Sequence, residues 1–174
     1  MRGSGGTKSL TAGTNLPNGV IVHYYLPSFN NENDEVKLSI HSKDGELIKE
    51  FSNKSSENKI QVKEGGNSFV WNMKYPGAKR LDNMVLWAAD FSGAKAVPGD
   101  YIVKLSVNQT ELTQNFKILK DPTSEGTIDD INAQFDFVNE INNIVDEAHN
   151  AIINIRKIKS DLSKFQSEFA DNEL

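Results

Sequence analysis

Cysteine is absent from all 174 residues. Disulfides, thiolate metal sites and thiol catalysis are therefore excluded. Long apolar runs are also missing, and none approaches the roughly 20 residues of a membrane-spanning helix. Basic residues are the smaller charged class, 19 against 24 acidic, giving a net charge of −5. Nucleic acid and anionic membrane are disfavoured as partners, because both reward basic patches. Glycine and proline disappear altogether after Gly126. No GxSxG elbow, phosphate-cradling GxxxxGK loop or EF-hand spacing occurs, and nothing points to a cofactor. What remains, 37% hydrophobic and 25% charged residues, fits an ordinary globular chain on the polar side.

Three zones separate by composition. Residues 1–16 are rich in Gly, Ser and Thr, without acid and without the apolar stretch of a signal peptide. They read as an appended leader outside the fold. Residues 17–121 are close to neutral and alternate with a period of two: Val20 to Leu26, Val36 to Ile40, Leu47 to Phe51, Ile60 to Val62, Asn67 to Tyr75, Met84 to Ala88, Tyr101 to Val107 and Leu112 to Leu119. Asp44-Gly45 and Pro98-Gly99 supply turns. About eight short strands without intervening helices predict an antiparallel β-sandwich over 17–121. From Thr127 the period changes. Apolar positions at 128, 131, 135, 138, 141, 145, 148, 152, 155, 158, 162, 165 and 169 are each three or four apart, which predicts a helical tail over 127–171. Thr127 suits the cap, and the acids after it suit the positive end of a helix. The tail is one long helix or a hairpin broken near Asn142-Asn143 or Asn150.

Residues that could carry chemistry are few. His23, His41 and His149 lack metal-ligand spacing. Asp34 and Glu35 point to opposite faces of a strand, and Asp129-Asp130 has a capping explanation. Asn53 and Asn108 open glycosylation sequons of the kind that arise by chance in an Asn-rich chain. Trp71 shares a strand face with Phe69 and Met73 and belongs to the core. Tyr101 is a packed tyrosine with a bonded hydroxyl. Trp87, Tyr75, Lys79 and Arg80 form the better candidate surface, with carbohydrate as the ligand an aromatic patch would take.

The runs WNMKYPGAKR (71–80), MVLWAADFSGAKAVPGDYIVKLSV (84–107) and FKILKDP (116–122) resemble the C-terminal segment of bacterial sortilin-like, BNR-repeat proteins of the glycosyl hydrolase type. In those a β-propeller precedes an immunoglobulin-like domain similar to that of flagellar hook-capping proteins. The resemblance spans roughly 16–160. It implies an Ig-like sandwich, a propeller as partner, and a secreted or periplasmic parent. No propeller lies in this chain, so no catalytic residue transfers. The expected role is a non-catalytic accessory or assembly module, with a carbohydrate-binding module as the alternative.

The tail carries the partner expectation. A helix of about 60 Å outruns one end of a small sandwich. An uncovered apolar stripe would be a liability. Phe135, Ile141, Val145, Ile152, Ile155, Leu162, Phe165 and Phe169 are therefore expected at an interface between copies. Residues 127–147 hold six acids and no base, which suggests antiparallel association, as a dimer before a four-helix arrangement. The competing expectation is a helix folded back on itself and on the sandwich.

Overall fold

A computed structural model describes residue 13, residues 15–85 and residues 90–170. It contains six strands followed by one helix: β1 (Val20–Leu26), β2 (Val36–Ser42), β3 (Leu47–Ser52), β4 (Gly65–Trp71), β5 (Gly99–Val107), β6 (Thr110–Ile118) and α1 (Ile128–Ala170). Two antiparallel sheets form, β1-β4 and β3-β2-β5-β6. The core joins them. Val36, Leu38 and Ile40 of β2 and Tyr101 and Val103 of β5 meet Leu26 of β1 and Trp71 of β4. The period-two reading of β1, β2 and β5 thus carries through to burial. Trp71 is 0% exposed, edge-on to Tyr101 and Phe116.

Turn chemistry sets the hairpins. Gly45, at φ 87, closes β2 to β3. Asn108, at φ 53, turns β5 into β6, and its side chain ties that turn to the strand opposite. Its amide oxygen accepts from the Glu35 N–H at 3.0 Å, and its amide nitrogen donates to Asp34 at 3.0 Å. Asn53 does the equivalent at the other edge of β2. It accepts from the Val36 N–H at 2.8 Å and donates to the Asp34 carbonyl at 2.9 Å. Both sequon asparagines are structural cross-ties, and Asn53 is buried.

One expected strand does not form, and another is described only at its first two residues. Ile60 packs into the core, but its segment makes only an isolated bridge, Ser52 with Lys59. Met84 and Val85 are irregular and exposed, and the remainder of that run lies outside the described residues. The strand expected to reach Tyr75 stops at Trp71, because Met73 turns left-handed at φ 58. Gly65-Gly66 opens β4. The tail is one helix, unbroken at Asn142-Asn143 and Asn150. Thr127 caps it reciprocally: its hydroxyl accepts the Asp130 N–H at 3.1 Å, and its own N–H donates to the Asp130 carboxylate at 2.8 Å.

Candidate functional site

Between β4 and β5 the described residues, 72–85 and 90–98, form the two legs of a long irregular loop. Its two legs run antiparallel. The Tyr75 N–H donates to the Ala94 carbonyl at 2.9 Å, and the Ala96 N–H to the Met73 carbonyl at 2.6 Å. Glycine permits the approach: a Cβ on Gly77 would fall on the Phe91 carbonyl oxygen, and one on Gly93 on the carbonyl oxygens of Tyr75 and Pro76. Gly77 lies within the WNMKYPGAKR run and Gly93 within the MVLWAADFSGAKAVPGDYIVKLSV run.

This loop, rather than any strand, receives the helix. The Tyr75 ring meets the Phe135 ring edge-on at 4.8 Å. Burial raises the Tyr75 phenol above its ordinary value. Three turns further along, α1 clasps the backbone of one residue. The Lys79 N–H donates to Asp146 Oδ1 at 2.5 Å, and the Lys79 carbonyl accepts from His149 Nδ1 at 2.5 Å. A carbonyl acceptor requires a proton on Nδ1 of the buried His149, whose ring lies 5.8 Å from that of Phe91. Beyond the clasp, Arg156 donates to the Asp82 carbonyl at 3.4 Å. Asp146 and His149, three apart on the helix, serve the loop backbone; their spacing alone gives no hint of that.

The candidate carbohydrate surface is therefore only partly available. Lys79 and Arg80 are exposed, but the Tyr75 ring is committed to Phe135. Trp87 lies outside the described residues. The exposed tyrosine is Tyr25, beside His23 on a groove of about 910 Å³ along β1 and β4. Among the described residues no cluster of three His, Asp or Glu side chains could hold a metal ion, and no helix is long and apolar enough to cross a membrane.

The helix carries two stripes. Ile131, Phe135, Val138, Asn139, Asn142, Val145, Asp146 and His149 are its half-buried or buried positions on the loop side. About 120° around the axis, at 3.6 residues per turn, runs a second set. From Phe137 it continues at 141, 144, 148, 151, 155, 158, 162, 165 and 169, every position apolar and the gaps alternating four and three without a break. Phe137, Ile141, Ile144, Ile155, Ile158 and Leu162 are all exposed, Phe137 by 63% and Ile155 by 63%. The spacing is that of the apolar seam in a heptad repeat. Of the residues expected at an interface, Ile141, Ile155, Leu162 and Phe165 fall on this seam, Ile152 flanks it, and Phe135 and Val145 belong to the docked face. Phe169 continues the repeat in sequence, and its side chain lies outside what the structure describes. Phe137, Ile144 and Ala151 are seam positions that the 3–4 spacing passed over. No protein-family model, curated protein or solved structure matches the chain.

Proposed function

We propose that this chain is a non-catalytic assembly module, a sandwich head on a helical stalk that associates with further copies of itself. The exposed heptad seam carries the reading. An apolar line of ten positions in strict four-three alternation is what helix-on-helix packing needs, and a solvated face has no use for it. The head fits the Ig-like class in one respect beyond its two antiparallel sheets. Tyr101, at the start of β5, donates its hydroxyl to the Val97 carbonyl at 2.7 Å, as in the tyrosine corner of such sandwiches. A β-propeller of the sortilin-like glycosyl hydrolase type is the partner that the resemblance over 71–80 and 84–107 supplies. A propeller-coding reading frame upstream of this chain would support that part, and its absence would remove it.

Light scattering at micromolar concentration tests the assembly. The expected mass exceeds the 19.4 kDa of one chain, and Ile155→Glu with Ile158→Glu returns it to one chain with an unchanged circular dichroism spectrum. A wild-type mass of one chain overturns the reading. The carbohydrate alternative loses the Tyr75 ring to Phe135. Retardation of the protein in a polysaccharide affinity gel would restore it.

A further inference from the structure

We infer that the copies associate in parallel, in register and as three strands, so that three heads lie at one end of a common stalk. The inference rests on the assembly reading above. Three observations on the flanks and layers of the seam carry it.

Direction comes first. In a parallel pair, the residue before each first seam position meets the residue five further on in the neighbouring copy. Those pairs are Glu140 with Val145, Glu147 with Ile152, Asn154 with Lys159 and Asp161 with Gln166, and none sets like charges together. An antiparallel pair with full overlap of the seam sets Glu147 against Asp161 and Glu140 against Glu168, each twice. Like charges face to face disfavour that partner. The acid-rich start of the helix does not oppose parallel packing. The carboxylate of Asp130 is engaged by Thr127, and that of Asp146 by the Lys79 N–H. Asp129 and Asp136 are away from the seam.

Strand number follows from the layers. Isoleucine occupies both seam positions at 141/144 and again at 155/158, and leucine follows at 162. Isoleucine at both positions shifts parallel coils from two strands to three or more. Between them lie Ala148 and Ala151, a narrow waist. Ile152, partly exposed on the flank beside that waist, can reach a layer that spans the wider arc of a three-stranded seam. Room for the heads completes the case. With the loop docked about 120° from the seam, each head lies to the side of its own helix that turns away from the common axis.

The absence of native cysteine makes the test direct. Ile144→Cys and Leu162→Cys are made separately in the full chain, oxidised alone and as a mixture, and the wild-type mass is measured beside them. Parallel, in-register packing links each variant to itself. It gives no link between the two different variants in the mixture, because positions 144 and 162 are about 27 Å apart at 1.5 Å per residue, beyond disulfide reach. The wild-type mass is expected at three times 19.4 kDa. Links only between the two variants would mean antiparallel packing and would overturn the direction, leaving the assembly reading in place. Self-links with a mass of two or four chains overturn the three-strand arrangement. A wild-type mass of one chain overturns both this inference and the reading beneath it.

Discussion

Asn53 bridges two strand ends with a buried amide. Asn53→Ala would leave the buried Val36 N–H and the Asp34 carbonyl without their partners. The expected loss is about 1–3 kcal/mol, the desolvation cost of such groups, read from urea denaturation. A change within the ordinary surface range of about 0.5 kcal/mol would show that water replaces the amide. Trp71→Ala removes the largest fully buried side chain and should cost about 3–5 kcal/mol, measured the same way. The tyrosines give a pH prediction. Burial raises Tyr24, Tyr75 and Tyr101 above the ordinary 10.0. For Tyr101 the next cause is its neighbour Tyr75. A phenol whose folded value is raised contributes stability that is fully present below pH 10 and is lost as pH rises through the folded value. Tyrosinate absorbance should therefore lag the ordinary titration while the fold persists and catch up on unfolding. Simple titration of all three near pH 10 in a folded protein would contradict it.

Helix α1 is held at its start by chemistry and along its first half by the loop. Thr127→Ala removes the cap and should cost about 1 kcal/mol, seen as faster amide exchange in the first turn. The same cap responds to acid. The hydroxyl and amide of Thr127 hold the Asp130 carboxyl below the usual carboxylate range. Its contribution is present above about pH 4 and is lost as pH falls through the lower folded value. Exchange in that turn should accelerate there, and an Asp130→Asn variant should show no such acid step. Much of this element was legible in sequence: the cap, the start and the helical period, while one helix or a hairpin stayed open because the run without glycine or proline fits both. The partition of its apolar residues was not. One line of three- and four-residue gaps joined Phe135, Val138 and Ile141, yet the first two face the loop and the third faces solvent. Two stripes of nearly equal period overlap between Phe137 and His149, and spacing alone cannot separate them. The loop was less legible still. Its shape depends on Met73 turning left-handed and on backbone approaches at Gly77 and Gly93. Its anchor, Asp146 with His149, binds main-chain atoms that no side-chain pattern announces. For the candidate sugar surface, sequence identified Tyr75 as notable without revealing Phe135 as its occupant. Gly77→Ala should uncouple head from helix. Its expected signature is a lower melting temperature together with faster exchange at Lys79.

At the scale of the molecule, the sandwich ends near Ile118 while α1 continues to Ala170, and Arg156 still bonds the loop at Asp82. The helix is about 65 Å long at 1.5 Å per residue. A sphere-like packing of 174 residues would have a radius of gyration of roughly 16 Å. The chain therefore drags far more solvent than its mass implies. On a sizing column even a single copy would emerge early, where a spherical protein of greater mass is expected. Sedimentation would be correspondingly slow, with a frictional ratio well above that of a sphere. Retention volume thus reports the stalk rather than the number of chains, and only a measurement blind to shape can count them.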